Sequence, residues 1–120
     1  MKTILAVEDS RLVLNMLSAV SRAKGFEVLE ATNGCEALSI LGDRQVDLVI
    51  TDLIMPGMDG FELTREIRRR GEGSIPVLMQ STQTDDRVRT IGREAGVSAW
   101  IKKPFLPEEL TEAARSLIKS

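Results

Sequence analysis

Apolar and polar positions alternate in blocks along the chain. Short apolar runs occupy Thr3–Val7, Phe26–Ala31, Val46–Thr51, Pro76–Gln80 and Ser98–Ile101, the length and texture of largely buried strands. Between them, apolar residues recur every three or four positions, which predicts helices with one buried face. Ser10 can cap the first helix, in which Val13, Met16, Leu17 and Val20 recur before Gly25. Asn33-Gly34 forms a turn into a short helix carrying Ala37, Leu38 and Leu41, up to Gly42. Asp59 followed by Glu62 resembles a capping box for a helix reaching about Arg70, and Gly71 to Ser74 reads as a loop. A fourth helix spans Thr84–Ala95 with Val88, Ile91 and Ala95 inward, ended by Gly96; Gly92 weakens it by about 1 kcal/mol relative to Ala. Pro107 opens the last helix, with Leu110, Ala113, Ala114, Leu117 and Ile118 inward, although Leu106 stands where a capping Ser, Thr or Asp would serve better.

The order is five βα units in strict alternation, with no internal repeat, linker or low-complexity segment. Continuous apolar strands between amphipathic helices call for an α/β fold, a doubly wound parallel sheet covered on both faces. Such sheets bind ligands beyond the carboxyl ends of their strands, where the strand order reverses.

Composition narrows the chemistry. The 120 residues suit one domain over 1–120, and the net charge of −2 gives no sign of nucleic-acid binding. One cysteine, Cys35, excludes an internal disulfide and fits a reducing compartment such as the cytoplasm. No apolar run approaches the roughly 18 residues of a membrane span, and no signal peptide is expected. The absence of histidine excludes a Ser-His-Asp triad, histidine metal ligands and a phosphohistidine on this chain.

The strand ends then stand out. Glu8 and Asp9 end the first apolar run, Asp52 the third, and Lys103 follows the fifth. Acids beside buried strands are costly unless something nearby needs their charge. With the first and third strands adjacent, Glu8, Asp9 and Asp52 form an oxygen cluster suited to a hard divalent cation such as Mg²⁺. Asp52 could then attack a phosphoryl group whose charge the metal and Lys103 neutralise, with Ser81 donating a hydrogen bond, giving an aspartyl phosphate.

These residues, in this order and spacing, resemble the receiver domain of two-component signalling, of the CheY-like type. The marks are Glu8-Asp9, Asn33-Gly34 before Glu36-Ala37-Leu38, Asp52 followed by Met55-Pro56 and Met58-Asp59-Gly60, then Ser81 and Lys103-Pro104-Phe105. The resemblance implies a flavodoxin-like (βα)5 fold with strand order 2-1-3-4-5. It implies Asp52 as phosphoacceptor and Asp9 and Asp52 as direct Mg²⁺ ligands. The Ile54 carbonyl would be a third ligand, Glu8 would act directly or through water, and Ser81 and Lys103 would contact the phosphoryl group. A histidine kinase would be the donor, and an output protein would read the surface of the fourth helix, fifth strand and fifth helix. The family's switch aromatic falls at Trp100, where tyrosine, phenylalanine or histidine is more usual. In that family the side chains at the positions of Ile54 and Gln83 border the path of the hydrolytic water, so the resemblance implies that an apolar Ile54 slows loss of phosphate.

Each mark also has a plainer reading. Glu8-Asp9 or Asp52 alone fits a helix cap or turn, Thr82 competes with Ser81 as the hydroxyl, and Trp100 fits simple packing. Arg68–Arg70 suits a solvated helix end, Arg87, Arg89 and Arg93 an outer face, and Cys35 needs no special role. Other functions are a haloacid-dehalogenase-like phosphatase, which would want an acid at Ile54, a flavin carrier, which Glu8-Asp9 would repel, and a degenerate receiver that binds partners without phosphate. The expectation is a single-domain, monomeric response regulator, with a phosphorylation-induced dimer as a variant, acting by protein contact. Its output would be a flagellar motor switch in chemotaxis; the alternative is a phosphorelay intermediate or phosphate sink.

Overall fold

A computed structural model describes residues 1–71 and 75–118. Its elements run β1 (Thr3–Val7), α1 (Arg11–Ala23), β2 (Glu27–Ala31), α2 (Gly34–Asp43), β3 (Leu48–Asp52), α3 (Gly60–Arg69), β4 (Val77–Ser81), α4 (Asp86–Ala95), β5 (Ala99–Lys102) and α5 (Pro107–Leu117). The strands pair in parallel in the order β2-β1-β3-β4-β5, the flavodoxin-like arrangement the resemblance implies.

Every residue of β1, β3 and β4 is buried, so apolar side chains serve both faces of the sheet. Ile4, Ala6, Leu48, Ile50, Leu78 and Ile101 pack with Leu14 and Leu17 of α1 and Leu110 and Ala114 of α5. Leu5, Val7, Val49 and Val77 pack instead with Ala37, Leu38 and Leu41 of α2 and Leu63 and Ile67 of α3. Each Leu or Ile so buried contributes about 1.5–3 kcal/mol. The two-residue period then carries a consequence for function. Glu8, Asp52, Gln80 and Lys103 each lie two residues beyond a side chain on the α1–α5 face, so the pleat directs all four to that side at the carboxyl rim.

Four of the five strands, β2 to β5, start later than their apolar runs. Val46 is buried but outside β3, because Asp47 breaks the run: its carboxylate accepts from Thr3 N–H at 2.8 Å. The shift brings Asp52 inside the strand, opposite Gln80. Similarly, the Ser98 hydroxyl accepts from Val77 N–H at 2.9 Å and stands just before β5 rather than in it. In α1 the buried stripe is Leu14, Leu17, Ser18 and Ser21, leaving Met16 at 39% exposure on the flank. The fourth helix starts at Asp86 rather than Thr84, and Asp85 caps it, accepting from Val88 N–H at 3.0 Å. The Asp59–Glu62 capping box forms with both bonds, at 2.8 and 3.0 Å. Leu106 supplies no side-chain cap to α5, but Glu109 accepts the Leu106 N–H at 2.8 Å and covers part of the deficit. Residues 72–74 of the expected loop lie outside the described residues.

Candidate functional site

The rim of β1, β3 and β5 brings three acids and one lysine together. One carboxylate oxygen from each of Glu8, Asp9 and Asp52 lies within 4.8 Å of the others. Lys103 Nζ stands 3.1 Å from Asp52 Oδ1 and 3.3 Å from Glu8 Oε1. Glu8 is 2% exposed and Asp52 8%, whereas Asp9 is exposed, so the cluster has a buried floor and an open side. Burial pushes the Glu8 carboxyl above the usual carboxylate range; the Ser10 N–H, donating to Oε2 at 3.0 Å, and the Lys103 ammonium oppose this, while the charge of Asp52 adds to it. Three carboxylates against one ammonium, around an open side, form a pocket of negative charge that a cation would relieve.

Local sequence fixes this geometry. Gly60, at the start of α3, sits so close to the end of β3 that a Cβ there would lie 2.5 Å from the Asp52 carbonyl oxygen. Only glycine lets the helix approach Asp52 so closely, and the Leu53 carbonyl accepts the Gly60 N–H at 2.8 Å. Ser81 ends β4 and is 2% exposed, while Thr82 is exposed. The Ser81 hydroxyl accepts from Gln83 N–H at 2.9 Å, and its carbonyl accepts from Lys103 N–H at 2.9 Å, which ties the Ser81 loop to the lysine. Ile54 follows in the β3–α3 loop with its side chain 65% exposed.

Trp100 lies away from the acids, on the other face of β5. Its ring meets Phe61 of α3 edge-on, with centroids 6.1 Å apart and planes at 70°. A Cβ at Gly92 of α4 would lie 2.3 Å from the indole, so the residue that weakens the helix also provides the notch the ring occupies. Arg87, Arg89 and Arg93 are exposed on α4, as is Cys35 on α2.

Sequence reasoning missed Gln80, Phe61 and Gly92. Gln80 is fully buried and donates from Nε2 to Glu8 Oε1 at 3.2 Å. Its signal was a polar residue two positions after Leu78 in an otherwise apolar strand, the same offset that separates Ile50 from Asp52. Among the described residues, no helix is long and apolar enough to cross a membrane.

Known proteins align with this architecture. The family model described as the response regulator receiver domain matches residues 4–115. The chain is 38% identical to the aerobic respiration control protein ArcA of Escherichia coli over 96% of its own length and 48% of the relative's. It is 34% identical to the DNA-binding response regulator MtrA of Mycobacterium tuberculosis, over 97% of the chain and 50% of the relative. The chain thus spans about half the length of the curated relatives it matches. Among solved structures, the chemotaxis protein CheY4 of Vibrio cholerae superposes with a TM-score of 0.95 at 34% identity, covering 98% of both chains. The signal receiver domain of a signal transduction histidine kinase from Syntrophus aciditrophicus gives 0.90 at 30% identity, covering 98% of this chain and 90% of that one. The chain belongs to the response regulator receiver domain family of two-component signalling.

Proposed function

We propose that residues 1–120 act as one receiver domain that accepts a phosphoryl group on Asp52 from the phosphohistidine of a kinase. The observation that carries this reading is Lys103 Nζ, 3.1 Å from Asp52 Oδ1, beside an acid cluster with an open side. An oxygen of the Asp52 carboxylate forms the new bond to phosphorus while the phosphorus–nitrogen bond of the donor breaks and its electron pair stays on the imidazole. Lys103 neutralises charge on the phosphoryl oxygens, and the Ser81 hydroxyl, whose oxygen already accepts from Gln83, keeps its proton to donate to one of them.

The donor set fits Mg²⁺: oxygen ligands only, two of the three carboxylates buried, and excess negative charge. Glu8, Asp9, Asp52 and the Ile54 carbonyl would hold it. Bound there, it would supply positive charge where phosphoryl oxygens gather. Acetyl phosphate provides the test, because it needs no kinase. Mg²⁺-dependent labelling of the native chain, lost in Asp52→Asn, is the expected result; labelling retained in Asp52→Asn would overturn the reading. Ile54→Asn is expected to shorten the life of the label by opening the water path.

For output, protein contact through α4, β5 and α5 is the reading, with a flagellar motor switch as partner. It is supported by a chemotaxis protein among the similar structures, matched over 98% of both chains. A relay or phosphate-sink role draws support from the receiver of a histidine kinase, matched almost as well. Pull-down of a motor switch protein by the phosphorylated chain, against return of label to a kinase, separates the two. A cytoplasmic, monomeric protein with no nucleic-acid contact of its own completes the proposal, and phosphorylation-induced dimerisation would show as a rise in mass on size exclusion.

A further inference from the structure

Gln80 is a buried polar group that the chemistry above leaves unused. It lies opposite Asp52 in the β3–β4 register, with 0% exposure. Its Nε2 donates to Glu8 Oε1 at 3.2 Å, the same oxygen that Lys103 Nζ approaches at 3.3 Å. Its Oε1 has no hydrogen-bond partner and is the one buried side-chain polar atom in that condition among the described residues. An apolar side chain between Leu78 and the rim would leave nothing unpaired. Turning the amide over would set its carbonyl against a carboxylate, so the bond to Glu8 fixes its orientation even though Oε1 goes unmet.

The site's one lysine explains what that bond achieves. Lys103 divides its charge between Glu8 and Asp52. When it turns to a phosphoryl group on Asp52, Glu8 Oε1 loses a donor in a place closed to water, and a buried carboxylate without donors is strongly disfavoured. Gln80 is a second donor to that oxygen, neutral and anchored in a central strand. We propose that Gln80 is a positioning residue: it holds Glu8 in place and satisfied, which frees Lys103 for the phosphoryl group and keeps Lys103 from competing with Mg²⁺ for Glu8. This rests on the reading of Asp52 as phosphoacceptor.

Gln80→Met, which keeps length and apolar volume, and Gln80→Asn, too short to reach Glu8, test the idea in the full chain, alone and with Glu8→Gln. Thermal melts first establish folding of each variant. Loss of such a supporting contact commonly costs 10–100-fold in metal affinity or activity. The labelling rate at saturating acetyl phosphate should fall about 10-fold in both single variants, with little change in half-saturation. In the Glu8→Gln background, where the buried charge is gone, Gln80→Met should cost almost nothing further. Equal losses in both backgrounds, or none in the native one, would overturn the proposal. If the native chain takes no label, the phosphoacceptor reading fails by itself, and calorimetric Mg²⁺ titration decides on Gln80. About 10-fold weaker binding in Gln80→Met supports its hold on Glu8, and unchanged binding refutes it.

Discussion

The two faces of the carboxyl rim are built on opposite principles. On the α1–α5 side, Glu8, Asp52 and Gln80 stand at the ends of strands buried along their whole length, and charge and hydrogen bonds cross-link them with Lys103, which follows β5. On the α4 side, β5 is an edge strand of which only Ile101 is buried, and Trp100 is held by an edge-on ring and a glycine notch. A centre anchored by three interior strands would keep its groups at fixed distances, which the proposed phosphoryl transfer needs above all. A side chain held by shape alone can shift at small cost. The fold thus separates where charge is handled from where shape can change.

That contrast can be broken at either end. The largest effect is expected from Lys103→Met, which strands two buried carboxylates. It should destabilise the protein by about 3–5 kcal/mol, read from the urea midpoint. Added Mg²⁺ should recover part of the loss by restoring positive charge. Next comes Gly60→Ala, whose Cβ would meet the Asp52 carbonyl at 2.5 Å. Backbone has to move, at a cost of about 1–3 kcal/mol, and Mg²⁺ affinity should fall because Asp52 moves with it.

Gly92→Ala should cost less than Gly60→Ala, although its contact is nominally tighter at 2.3 Å from the indole. There a side chain at an edge has to yield, and alanine returns about 1 kcal/mol of helix propensity. Trp100 fluorescence should shift. In a Trp100→Phe background the same change should become neutral or stabilising, and a loss as large as in the native background would show that the notch does not serve the indole. The smallest effect is expected at the start of α5, where Leu106→Asp should add about 0.5–1 kcal/mol by supplying the missing side-chain cap.

Much of this was legible in the sequence. Pattern and punctuation placed all ten elements in order, because continuous apolar runs and helical periods differ sharply in this chain. The acids and lysine could be read as a cluster because strand ends in a parallel sheet converge on one rim. What escaped reading depends on pairings across the sheet and between layers. Gln80 read only as the polar end of the fourth strand until the register set it opposite Asp52. Gly92 read as a defect in α4 because the ring that needs its missing side chain belongs to another element. Met16 fitted the helical period as well as Leu14, and the serines at 18 and 21 decided which face approaches the sheet, since small residues permit close packing there.

Peptide-resolved mass spectrometry of the acetyl phosphate–treated protein, with hydrogen exchange on the same sample, tests the account most directly. The mass gain should fall on the peptide containing Asp52 and require Mg²⁺. Exchange should change in α4 and β5 while β1 and β3 stay protected. A mass gain elsewhere, or exchange that rises in β1 and β3 while α4 and β5 stay unaltered, would contradict it.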